Sequence, residues 1–122
     1  MIEVHLDKQN EDWNINATIL PYGGLGVAKE ATLGKVKSPS FAEAADAVQS
    51  LETVSFVENR DRWPVPGPKF QIINEMTHLD HERFGNYRIE MDGAVVGTIE
   101  NFPRAKTCEL IKKALSLVAA DE

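Results

Sequence analysis

Residues 84–103 read FGNYRIEMDGAVVGTIENFP, and the reading of this stretch decides the fold. Tyr87, Ile89 and Met91 alternate with Arg88 and Glu90, the period-two pattern of a strand with one face on a core. Asp92-Gly93 follows at once, and both residue types tolerate the positive φ of a two-residue type I′ turn, whose twist matches that of the flanking strands. With these two as the loop, Met91 faces Ala94, Ile89 faces Val96 and Tyr87 faces Thr98. Val95 and Ile99 then fall on the other side. That predicts a second sheet face covered by a helix, by irregular chain or by another subunit, and an apolar face left open would mark an association surface.

From Pro103 onward the period becomes helical. Cys108, Ile111, Leu115 and Val118 fall on one stripe, which predicts an amphipathic helix over 103–119. Cys108 lies on that stripe, so it reads as packing and not as a reactive thiolate.

Upstream, Ile2, Val4 and Leu6 alternate with Glu3, His5 and Asp7, and Trp13, Ile15, Ala17 and Ile19 alternate with Asn14, Asn16 and Thr18. Both segments read as half-buried strands, with His5 on the outward side. Residues 25–37 read as a third extended segment, in which Gly34 marks a bulge or a close backbone approach. Ser40-Phe41-Ala42-Glu43 has the form of a capping box. Phe41, Ala44, Ala45, Val48 and Leu51 keep helical spacing behind it, which predicts a helix over 40–52. A short strand is expected at 54–57. Residues 59–68 hold three prolines and a glycine and read as irregular. Residues 70–79 fit either a helix edge or a strand; Ile72-Ile73 and the nearby turn residues favour the strand.

An ungapped offset of 63 lays residues 31–48 over 94–111, pairing Ala31 with Ala94, Gly34 with Gly97 and Ala42 with Ala105. An internal strand–helix duplication is therefore an open alternative to chance periodicity. Either way the order of elements predicts a single globular domain over 1–122, of α+β class. Its antiparallel β-sheet carries two amphipathic helices, at about 40–52 and 103–119.

Composition narrows the function classes. With 122 residues, 43% hydrophobic and 26% charged, the chain can bury a core without staples. A net charge of -6 argues against a phosphate-backbone partner and against an anionic membrane surface. The hairpin-then-helix ending resembles the double-stranded-RNA-binding fold in outline. However, Pro103-Arg104-Ala105-Lys106 lacks that family's basic helix start, so no family is assigned. A single cysteine forbids an internal disulfide and any zinc site needing several thiolates. No apolar run spans a bilayer and the N-terminus lacks a signal-peptide pattern, so a cytoplasmic location is expected.

Three candidate sites stand out. Trp63-Pro64-Val65-Pro66-Gly67-Pro68 joins an interface-prone aromatic to a backbone pre-set by prolines, which lowers the entropy cost of docking. Trp63, Val65 and the neighbouring Arg62 are its expected contact residues. Glu75, His78, Asp80 and His81 form the densest chemical cluster, of a kind that suits a metal or acid–base chemistry, but the spacing matches no established metal motif. Gly23-Gly24-Leu25-Gly26 lacks the following helix of a phosphate loop and reads as a turn, beside which Tyr22 and Trp63 could line a ligand pocket.

The expectation is a small acidic binding protein without catalytic residues, metal or cofactor. It recognises another protein through the Trp/Pro loop or an apolar sheet face, and a homodimer is allowed. A small metal-assisted or acid–base enzyme and a small-ligand sensor are the alternatives.

Overall fold

The computed structural model describes residues 1–21, 26–61, 66–75 and 83–122. Among these, seven strands form one antiparallel sheet and two helices pack against it, as the sequence predicts. The elements are β1 (Ile2–Gln9), β2 (Asp12–Ile19), β3 (Lys29–Val36), α1 (Phe41–Ala47), β4 (Val57–Glu58), β5 (Lys69–Glu75), β6 (Phe84–Met91), β7 (Ala94–Pro103) and α2 (Thr107–Asp121). The sheet order is β4-β3-β2-β1-β5-β6-β7.

Alternation builds the core. Val4 and Leu6 on β1 stand in register with Ala17 and Ile15 on β2, and Val4 also faces Phe70 on β5. These residues, with Ile72 and Ile89, are buried beneath the helices. The segment left open between helix and strand is β5, where Phe70 and Ile72 are buried and Ile73 only half so.

The hairpin turns where expected, with Asp92 at φ 53° and Gly93 at φ 81°. Its register then departs from the simple reading. Met91 pairs with Ala94 and Glu90 with Val95, but Ile89 pairs with Gly97, so Val96 is an extra residue in a bulge. The shift turns Ile99 inward opposite Tyr87, where it is buried. A one-residue slip exchanges the two faces of a strand. Val95 stays exposed, at 56%.

The same irregularity occurs across β2 and β3. Ile15 pairs with Gly34 and Asn16 with Thr32, leaving Leu33 as the extra residue. Each bulge places its extra residue immediately before a glycine opposite an isoleucine, and Leu33 and Val96 are related by the offset of 63 seen in the sequence. Outward from the central β1–β5 pair, both halves run strand, strand, strand, helix.

Helix boundaries shift from the predicted ones. α1 closes at Ala47 because Gln49 and Leu51 donate to Asp46 and Val48 in three-residue turns, yet Val48 stays fully buried. The apolar pattern thus outruns the helix. At the other end, β7 extends through Pro103, so α2 begins at Thr107 and not at 103. The strand expected at 54–57 does not form over 54–56; pairing with β3 is confined to the two-residue β4, Val57–Glu58.

α2 lies antiparallel to α1 and holds both of its ends. Phe41 N–H donates to Glu122 Oε1 at 2.9 Å and Ala42 N–H to Oε2 at 3.3 Å. Ser40 Oγ accepts from Ala42 N–H and not from Glu43, so the carboxylate at this terminus is supplied from 82 residues away. Just past the other end, Lys112 Nζ donates to the carbonyls of Gln49 and Leu51 at 3.2 and 3.1 Å. A carboxylate at a helix N-terminus and a cation at its C-terminus both oppose the macrodipole. Glu122→Ala is expected to lower stability by about 1 kcal/mol, with Glu122→Gln intermediate. Paired thermal melts by circular dichroism check this; melting points equal to wild type in both variants would show that the contact contributes nothing.

Candidate binding site

The helix-free face of the sheet divides into two unlike regions. Across β5 and β6 it is ionic and open. Arg88 pairs with Glu90 and lies 3.2 Å from Glu75 Oε1, with all three side chains partly in solvent. Exposed pairs of this kind contribute little stability.

Across β1, β2 and β3 the same face is polar and buried, contrary to the outward, solvated position expected for His5. His5 is 3% exposed and Thr18 0%, and Glu3, Asn14 and Asn16 are buried too. Register aligns them in rows: Thr18 stands between Glu3 on β1 and Glu30 on β3, and Asn16 between His5 and Thr32. His5 Nε2 is 4.0 Å from Glu30 Oε1, while Asn59 Nδ2 donates to Glu30 Oε2 at 2.5 Å. Gln71 lies beside Glu3, its amide 3.5 Å from Oε2.

Two oxygens in these rows have no hydrogen-bond partner, Thr18 Oγ1 and Asn14 Oδ1. A buried hydroxyl or amide left unmatched costs about 1–3 kcal/mol. Native interiors rarely carry such groups without water or a ligand to meet them. The Glu30 side chain is 26% exposed, so the buried rows reach solvent there.

The ends of the irregular 59–68 segment bracket this region. Asn59 N–H donates to Ala28 O at 2.9 Å, and Leu6 N–H donates to Pro68 O at 2.9 Å. Gly67, at φ 140°, packs so closely on Leu6 that a Cβ there would sit 2.4 Å from its carbonyl oxygen. Arg62, Trp63 and Val65, the expected contact residues, lie outside the described residues, as does Tyr22. Of the Glu75, His78, Asp80 and His81 cluster only Glu75 is described, and Arg88 engages it.

Elsewhere, an open groove of about 670 Å³ runs between residues 52–56 and the start of α2. Cys108 is half-buried on its wall, 3.5 Å from Leu51 O, and burial pushes its thiol pKa up. That is the environment of an unreactive thiol. Among the described residues, no three His, Cys, Asp or Glu side chains converge as a metal-binding set. No helix of these residues is long and apolar enough to cross a membrane.

The buried polar rows were missed in the sequence because alternation marks which side chains leave the core, and not whether something covers them. Thr18 and Asn14 read as ordinary outward residues of a strand. Compared with protein-family models, curated proteins and solved structures, the chain matches none.

Proposed function

We propose that this chain is a small non-catalytic binding protein that recognises another protein through the segment containing Arg62, Trp63 and Val65. The observation that supports this reading is the fixing of the segment's two stems. Asn59 is tied to Ala28 and Glu30 on one side, and Gly67-Pro68 is held against Leu6 on the other. A recognition segment whose stems are already ordered loses less entropy on docking, and binding residues concentrate on loops set by rigid scaffolds. The other surface considered, an apolar sheet face, is scattered among the described residues: Val57 on β4 and Val95 on β7 are exposed at opposite edges of the sheet, and Ile99 packs inward. A cytoplasmic location and self-association belong to the same proposal. So does an internal duplication, supported by the two bulges that share the offset of 63.

The test is affinity capture from the native host with wild type, Trp63→Ala and Arg62→Ala, read by mass spectrometry beside thermal melts. The expected result is one reproducible set of partners, lost in both variants while their midpoints stay within about 2 °C of wild type, as for substitutions away from structural contacts. Retention of the same set by Trp63→Ala, with a lowered midpoint, would assign Trp63 to the scaffold and end the reading.

A further inference from the structure

We propose that a second copy of this chain packs on the outer flank of α2, the two helices antiparallel across a two-fold axis beside Leu117. This rests on the self-association already proposed and names its surface.

α2 lies over β6 and β7, and β7 closes one end of the sheet. The two flanks of the helix are unlike. On one, Lys112 holds the carbonyls of Gln49 and Leu51 just past α1. The other hangs over the last strand, with Leu117 3.4 Å from where a Gly97 Cβ would be and Lys113 Nζ 5.6 Å from the Phe102 ring centroid. A helix is about 10 Å wide and strands lie about 4.8 Å apart, so a helix over the last two strands comes level with the rim of the sheet. Leu117 and Phe102 are only partly buried there, and among the described residues no strand pairs beyond β7.

Four-residue spacing sets Lys113, Leu117 and Asp121 along this flank. Both charged residues are exposed, and among the described residues neither enters an ion pair. Asp121 also meets the negative end of the helix macrodipole, in a last turn that holds no basic residue. Glu122 is used on α1, but among the described residues nothing offsets Asp121.

A two-fold axis beside Leu117 supplies the missing cation. It sets position 113 of each copy against position 121 of the other, so Lys113 meets Asp121 twice, with the two Leu117 side chains between them. The β7 edges then run side by side through residues 94–99, AVVGTI, which bring no charge. The opposite edge of the sheet carries exposed Lys29 and Glu58, the usual guard against edge pairing. Irregularities at Val96 and between Ile99 and Phe102 confine strand pairing across the axis to Gly97, Thr98 and Ile99, so the helix pairs set the register.

Sedimentation equilibrium of the full chain over a concentration series at low ionic strength tests the proposal. Wild type is expected to dimerise. Lys113→Glu and Asp121→Lys are each expected to weaken the dimer about tenfold, since each turns two attractive pairs into repulsive ones. An equimolar mixture of the two variants should return close to wild-type affinity, because both pairs across the mixed dimer are again opposite in charge. The direction of the Asp121→Lys effect is decisive. That change lowers the net negative charge of each copy, so general repulsion alone would make it associate more tightly. Both positions are exposed, and circular dichroism melts check that the variants fold. A wild-type monomer at every concentration would overturn this surface and the self-association reading together. A wild-type dimer that neither variant weakens, or a mixture no tighter than the variants alone, would overturn this surface and leave self-association standing.

Discussion

Gly67→Ala is expected to lower the melting midpoint by about 10 °C, a loss of roughly 2–4 kcal/mol. Two independent costs combine at this position. The backbone sits at φ 140°, a region open to glycine and strained for any L side chain. The added methyl would also lie 2.4 Å from Leu6 O, with the Trp13 ring 3.6 Å away. Leu6 cannot withdraw, because its own N–H is bonded to Pro68 O and its side chain is fully buried in the core. Gly93→Ala separates the two costs. Gly93 also has positive φ, at 81°, but nothing lies within 4 Å of its built Cβ. Its loss should stay near 1 kcal/mol, the backbone cost alone. Chemical denaturation of both variants gives the comparison. Equal losses would mean that the contact with Leu6 relaxes freely, and the 59–68 stem would then be far softer than its hydrogen bonds imply.

Much of the scaffold could be read from local pattern, because its signals are local. Asp92-Gly93 marked its own turn, and alternation placed Val4, Leu6, Ile15 and Ala17 on the core face without reference to any partner strand. The hairpin register was not legible in the same way. A bulge at Val96 costs one unpaired residue and is favoured by what lies across it: Gly97 opposite Ile89, with Leu117 of α2 only 3.4 Å from where a Cβ would be. A side chain at 97 would press on the helix. The glycine therefore reports a tertiary approach that sequence periodicity does not contain. The capping of α1 was hidden for the same reason. Ser40 announced a helix start, but the carboxylate that completes it comes from Glu122, which no local window includes.

The candidate site was the least legible part. His5, Asn14, Asn16 and Thr18 occupy outward positions in strands whose pattern is simple alternation, and that pattern predicts water on their side. All four are nevertheless buried. A composition cue did exist. Asn14, Asn16 and Thr18 are uncharged, whereas the outward residues of β6, Arg88 and Glu90, are charged and lie in a more open region. Neutral polar residues in an outward row are compatible with burial where charged ones would be costly.

Phe41→Ala is expected to cost about 3–5 kcal/mol, the usual range for deleting a buried aromatic ring. Phe41 is 1% exposed and stands edge-on to Phe70, with ring centroids 5.3 Å apart and planes at 74°. Phe70 faces Val4 in the middle of the sheet, so this one contact joins the first turn of α1 to the central strand pair. α1 has only seven residues, too few to persist by its own hydrogen bonds. Its order must come from Phe41, Ala44, Ala45 and Val48 beneath it and from Glu122 and Lys112 at its ends. Removing the ring should therefore do more than leave a cavity. The amides of 41–47 should lose hydrogen-exchange protection well beyond the global loss, as expected when one unit opens ahead of the rest. Phe41→Leu keeps most of the volume and should cost less than half as much. A double-mutant cycle with Phe70→Leu should return about 0.5–1.5 kcal/mol for the edge-on pair itself. If Phe41→Ala lost stability while exchange across α1 rose no faster than in the strands, the helix would be held by its end contacts to α2, and the ring would be filling space between layers already fixed.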